Sequence, residues 1–324
     1  DMDRPLRKMN AKRPQLITHV RYFCRVPVCE AQDLLSRSTA VLRLGTPDSS
    51  RGTLAISVQK VRAPFVYATT CSQPLWNHQK MLELYPDVFH EWIAYHLLRG
   101  FGQVAIYELI GSFMSDMLAP WRRAGAVQYY DRWATDDLVK DAGQDRYCLQ
   151  CLAHDHCLFV SQLRSTWTAL VHGPDLYSCA NCTGGLAEAL RHYDPDSYGA
   201  LGVKRRDCPG PKSNGTATSL LLSFAQCGTP TGVFNAPILN PRTVLATFVH
   251  HALVVLRGVP HPAEWSDVVA LHFMDAFKAS GIDADALRGK DGQWAHTAEL
   301  APERVLIEMY DRVRSVAQDG KRQQ

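Results

Sequence analysis

The sequence predicts an α/β fold built on an open, mostly parallel sheet flanked by helices, with an extension before it and a helix after it. Strand-like and helix-like segments alternate four times between residues 64 and 172, a pattern that implies parallel strands joined by right-handed crossovers. Hydrophobic residues make up 46% of the 324 positions, enough for a substantial core. Proline- and turn-rich stretches lie on either side of the alternating region, over residues 1–60 and after Gly184.

Residues 1–60 read as an N-terminal extension. They carry Pro5, Pro14, Pro27 and Pro47, an exposed loop in "GTPDSSRG", and one short strand in "LAISVQKV". The α/β domain spans 61–285. "PFVYATTC" is β-rich, and "PDVFHEWIAYHLLRG" places Val88, Phe89, Trp92, Ile93 and Leu97 on a helical stripe that stops at Gly100. "QVAIYELI" is the next strand. "SDMLAPWRRAG" is the next helix, with Ser115 as its expected N-cap and Gly125 just past its end. "AVQYYDRW" follows as a strand, then a helical stretch over 144–163, then the strand "WTALVH". After Gly184 a Gly-, Pro- and Ser-rich excursion intervenes, and "SLLLSFAQC" and "RTVLATFVHHALVVLRG" return as core-forming strands or a strand-helix pair. Residues 286–324 form a C-terminal helical segment, with Val305, Leu306, Met309, Val313 and Val316 along one face.

A net charge of +3 gives no global field that would draw nucleic acid or an anionic membrane. The basic clusters Arg4, Arg7, Lys8, Lys12, Arg13 and Lys204, Arg205, Arg206 read as local solvated surface. No stretch reaches the ~18–20 uninterrupted apolar residues of a membrane span. The chain starts with Asp1, which fits a processed product and leaves room for a membrane anchor ahead of it. Ten cysteines and two glycosylation acceptors, Asn181 and Asn214, point to the secretory lumen or the cell exterior. Cys148-x-x-Cys151 and Cys179-x-x-Cys182 have the spacing of zinc knuckles, but the first pair lies within a helix; disulfides and buried thiols are the competing readings.

Phosphate-binding glycine loops, a nucleophile elbow and a His-Glu-x-x-His pair are all missing from the sequence. His154 and His156, two apart, do not share a helix face and so make no local metal pair. His250, His251 and His272 sit at or within apolar runs, where a histidine is more often a satisfied core group than a ligand.

The blocks "FHEWIAYHLLRGFGQVAIYE", "SDMLAPWRRAGAVQYYDRW", "AHDHCLFVSQLRSTWTALVHGPDLY", "ILNPRTVLATFVHHAL" and "ALHF" resemble, in order and spacing, the glycosyltransferase family 92 domain over about Phe65 to Phe277. The resemblance rests on Glu91-Trp92-Ile93, Tyr95-His96, Cys157-Leu158, Trp167, Asn240-Pro241 and Val249-His250. It implies a GT-A-type, Rossmann-like domain, an inverting transfer from a nucleotide sugar (galactosyl in the known case) to a glycan acceptor, a divalent metal such as Mn²⁺ on an Asp-x-Asp motif, and Golgi residence. The departures fall on the chemistry. Tyr85-Pro86 stands where the family reads Asn-Glu, and Tyr107-Glu108-Leu109 where it reads Tyr-Asp-Asn. His172-Gly173-Pro174-Asp175 replaces Asp-x-Asp-Glu, so both metal-bearing aspartates are gone.

On this resemblance Asp175, Glu108 and Arg242 are the expected donor-binding residues, and His172, Asp175, His250 and His272 the expected metal ligands. Lys204, Arg205 or Arg242 would meet the diphosphate if no metal is used. A magnesium ion wants hard oxygen ligands, which proline does not supply and imidazole supplies poorly, although Mn²⁺ tolerates imidazole. The alternative is a catalytically inactive descendant that keeps the sheet as a binding or structural subunit of a larger assembly.

Overall fold

The structure, a computed structural model, describes residues 39–45, 53–59, 65–133, 146–273 and 301–322, apart from short breaks at 76–77, 110, 180–181, 183–184, 209–218, 224–225, 231–235, 249, 265 and 303. The chain divides into two compact units, Asp1–Pro64 and Phe65–Gln324. The described part of the first unit is an antiparallel pair, β1 (Thr39–Gly45) and β2 (Thr53–Gln59), in register from Thr39 opposite Gln59 to Gly45 opposite Thr53.

In the second unit the elements run β3 (Val66–Leu75), α1 (His78–Leu84), α2 (Val88–Leu98), β4 (Gln103–Glu108), α3 (Ser115–Arg123), β5 (Val127–Tyr130), α4 (Arg146–Ser161) and β6 (Ser165–Val171). They continue as β7 (Leu176–Ser178), α5 (Leu186–Ala189), β8 (Tyr198–Gly202), β9 (Arg205–Cys208), α6 (Leu220–Ser223) and β10 (Gln226–Cys227). The last are β11 (Ile238–Leu239), β12 (Val244–Thr247), β13 (Ala252–Val255), β14 (Val259–Pro262), β15 (Val269–Phe273), β16 (Ala301–Pro302) and α7 (Arg304–Arg322). The central sheet has seven strands in the order β14-β8-β11-β6-β3-β4-β5. Only β11 runs antiparallel to its neighbours, so the sheet is mixed but mostly parallel, as the strand-helix alternation predicts.

Strand alternation sends the residues to two cores. Ala68, Val104, Ile106 and Val127 face α2 and α3 and pack with Trp92, Ile93, Leu118 and Trp121. Cys71, Ala105, Tyr107 and Leu170 face the other way, against Ala153, Cys157 and Leu158 of α4. The Cys71–Cys157 disulfide joins β3 to that helix. Cys208–Cys227 joins β9 to β10, and Cys179–Cys182 closes a short loop after β7. Paired as a disulfide, Cys179 and Cys182 offer no zinc thiolates, which speaks against the four-cysteine zinc reading. In α7, Met309, Val313 and Ala317 form a buried stripe at four-residue spacing.

Two expectations need correction. Ser115 opens α3, but the capping position is Met114 and no side chain caps it. The apolar run over 243–256 is a hairpin of β12 and β13 with exposed Leu253, Val254 and Leu256, because His250 and His251 interrupt it with a turn. Asn181 and Asn214 lie outside the described residues, as do the N-terminal basic cluster and the side chains of Val305 and Leu306.

Helix α2 is the hub of its layer, and buried Glu91 on it accepts hydrogen bonds from Ser219 Oγ and the Leu220 N–H, both at 3.1 Å, which caps α6. Burial raises its carboxyl to about 7 despite those donors. Because the folded value lies above the ordinary one near 4.5, the native state holds more protons and stability falls as pH rises from 4.5 to 7. Glu91→Gln keeps an acceptor without the charge. It is expected to flatten that slope and to raise stability at pH 8 by up to about 3 kcal/mol, as read by urea unfolding at pH 5 and pH 8.

Candidate functional site

In an open parallel sheet, ligands gather beyond the carboxyl ends of the strands. The chain leaves β6 at Val171, turns through His172 to Asp175 with the Asp175 N–H donating to His172 O at 2.8 Å, and enters β7. β7 pairs antiparallel with β15, Leu176 opposite Leu271, and β15 pairs with β9, His272 opposite Asp207. This small sheet brings residues distant in sequence to the turn after β6.

Asp175 is fully buried and its carboxylate is engaged on both oxygens. Oδ1 accepts the Phe273 N–H at 3.1 Å, and Oδ2 lies 2.8 Å from His272 Nδ1. Its backbone carbonyl accepts Trp92 Nε1–H at 2.9 Å. Burial alone would lower His272, but the charge and hydrogen bond of Asp175 outweigh it and raise the imidazole above its ordinary value. On the neighbouring strand Arg205 Nε lies 2.8 Å from Asp207 Oδ1.

The other two expected ligands meet each other: the His172 and His250 rings have centroids 4.8 Å apart. The four residues therefore form two contacts, Asp175 with His272 and His172 with His250. Among the described residues no three His, Cys, Asp or Glu side chains come together in a way that could hold a metal ion. The one carboxylate of the set already serves a backbone N–H and an imidazole.

The sequence sets His154 aside with His156 as no local metal pair, yet His154 lies near His250 of this group. Fully buried on α4, it is pushed down to about 3 by burial and by its proximity to His250. The next residue, Asp155, accepts the Thr247 N–H at 2.8 Å and Thr247 Oγ1–H at 3.2 Å, and so holds the β12–β13 hairpin and its His250 turn against α4. His156 points elsewhere, with its Nδ1 2.9 Å from Tyr107 Oη, as the two-residue spacing requires.

Glu108 ends β4 on the same edge of the sheet. β3 runs between β4 and β6, with Leu75 opposite Glu108 and Ser72 opposite Val171. The carboxylate is fully buried and takes N–H groups of Phe113 at 3.0 Å and Met114 at 3.2 Å, and the Tyr129 hydroxyl, with His78 Nε2 3.1 Å away. Burial pushes its carboxyl up, but His78, Tyr129 and the Met114 N–H together bring it below the ordinary value. His78 carried no signal in the sequence. It lies in α1, which the strand-helix pattern does not contain.

Arg242 is elsewhere. Its guanidinium sits 5.4 Å from the Phe65 ring centroid, beside the first residue of β3, at the opposite end of the strands from Asp175. Its backbone N–H donates to Asn240 Oδ1 at 3.0 Å, and Asn240 Nδ2 donates to Pro195 O at 2.7 Å, so the Asn240-Pro241 block builds a turn. Of the basic residues near β9, Arg205 faces Asp207, and Arg206 Nε donates to Gly228 O at 2.7 Å.

Because His272 is raised in the folded protein, its pairing with Asp175 adds stability that is fully present below about pH 6.5 and lost as pH rises through the folded value. Asp175→Asn is expected to cost roughly 3 kcal/mol at pH 6. The gap should narrow on the alkaline side of the His272 titration, and unfolding curves across this pH range, with the His272 ring followed by NMR, check both. Compared with models of known protein families and with curated proteins, the chain matches none.

Proposed function

We propose that this chain is a lumenal or secreted glycosyltransferase-like domain that serves as a binding or structural subunit and does not carry out metal-dependent sugar transfer. The observation that carries the reading is the condition of Asp175. It is the first carboxylate after the strand at which the family 92 resemblance puts the metal-bearing aspartates. It has no exposure, and both oxygens are taken by His272 and the Phe273 N–H. A cation bridging a sugar-nucleotide diphosphate needs hard oxygens that face the cleft. Here the carboxylate instead fastens the turn after β6 to the end of β15. Glu108 supports the same reading, since its carboxylate is spent on two backbone N–H groups, a phenol and an imidazole. Three disulfides support an oxidising compartment. No helix among the described residues is long and apolar enough to cross a membrane.

One observation favours a second reading, an inverting family 92-like transferase using Mn²⁺ and a nucleotide sugar such as a galactosyl donor. His172 and His250 come together beside the Asp175 turn, on the edge where an α/β sheet binds ligands.

Calorimetric titration with a panel of nucleotide sugars, with and without Mn²⁺, separates the two. The first reading expects no heat with any donor and no sugar transfer to glycan acceptors. Donor binding that requires Mn²⁺ and disappears in His250→Ala would establish the second.

A further inference from the structure

Arg99 follows α2 and is only 6% exposed, yet among the described residues no carboxylate pairs with it. Its Nη2 lies against Cys179 Sγ and 2.9 Å from Cys182 Sγ, its Nη1 is 4.0 Å from Met309 Sδ, and its Nε has no hydrogen-bond partner among the described residues. Taking a guanidinium out of water without an anion costs several kcal/mol, and disulfide or thioether sulfur is a weak acceptor that returns little of it. A thiolate at the same place would be a strong partner. The backbone keeps the cation where it is: Arg99 O accepts the N–H groups of Leu186 at 2.9 Å and Ala187 at 3.2 Å, and a side chain at Gly185 would meet that oxygen at 2.9 Å.

We propose that Cys179–Cys182 is a thiol–disulfide exchange site, with Arg99 as the positioning residue that stabilises its reduced form. The Cys-x-x-Cys spacing keeps the two sulfurs together after the bond opens. Cys182 is partly exposed and Cys179 is buried, so an incoming thiolate of the glutathione class attacks Cys182 Sγ. That step forms a mixed disulfide on Cys182, breaks the Cys179–Cys182 bond, and releases Cys179 as a thiolate beside Arg99. A second thiolate attacks the sulfur of the bound thiol, leaving Cys182 as a thiolate that takes a proton from water. Two thiols become one disulfide, and the protein gains two electrons. Cations beside a cysteine lower its thiol and stabilise the thiolate, which makes the pair easier to reduce.

The test uses the whole chain in glutathione buffers stepped from oxidising to reducing, followed by acid quench, alkylation and peptide mass spectrometry. Cys179 and Cys182 are expected to become alkylated together while Cys71, Cys157, Cys208 and Cys227 stay bonded. Glutathione should be found on Cys182 at intermediate ratios. Arg99→Met should shift the exchange equilibrium about tenfold toward the disulfide, and Arg99→Lys should restore most of that shift. Should the variant fail to fold, the pH dependence of alkylation of the reduced wild-type pair gives the same information, with a midpoint expected well below that of a free thiol near 8.5. Opening of Cys179–Cys182 only together with the other two bonds, identical titration of wild type and Arg99→Met, or a wild-type midpoint at or above that of a free thiol would each overturn the proposal.

Discussion

One face of α2 carries polar groups that fasten it along β7, and most of the site hangs on that attachment. Trp92 Nε1–H reaches Asp175 O, Tyr95 Oη–H reaches Tyr177 O at 2.8 Å, and the Arg99 guanidinium reaches Cys179. The helix positions are spaced by three and then four, and the strand positions by two and two. Seven helical residues rise about 10 Å and four strand residues about 13 Å, so the two ladders stay nearly in step. All of these groups are buried, where an unmade hydrogen bond costs about 1–3 kcal/mol, so each contact fixes position as well as adding stability. The turn that presents His172 and Asp175 is thus held from the helix layer as well as from the sheet.

Three of the buried carboxylates, Asp175, Glu108 and Glu91, are accommodated in different ways. Asp175 has one backbone N–H and one imidazole. Glu108 is surrounded by enough donors to keep it charged, whereas Glu91 has too few to offset burial and shifts upward. Residue type does not separate Glu108 from Glu91; the larger number of donors turned toward Glu108 does. A catalytic acid or base needs a proton path to a substrate, and both Asp175 and Glu108 spend their lone pairs on the protein itself.

The alternating core of the fold was legible from the sequence. Strands β3 to β6 and helices α2, α3 and α4 follow from apolar periodicity, because their side chains face one of two cores. Less legible was everything whose partner is remote along the chain. His272 meets Asp175 across 97 positions, and no local pattern announces such a meeting. His78 was missed for the same reason, His154 was weighed only against its neighbour His156, and Arg242 was misplaced because the chain reverses at β11 and carries it to the far end of the sheet. Short β12 and β13 share the composition of core strands, but turn-forming histidines between them made a half-exposed hairpin.

An open sheet must do something about its outermost strands, since unpaired N–H and C=O groups invite other chains to join. On the β14 side the sequence is Val-Pro-His-Pro, in which Pro260 and Pro262 have no N–H to offer. With half of its residues unable to donate, β14 is a poor template for a foreign strand. The chain can therefore leave Leu253, Val254, Leu256 and Val259 uncovered nearby without that border seeding sheet-to-sheet aggregation.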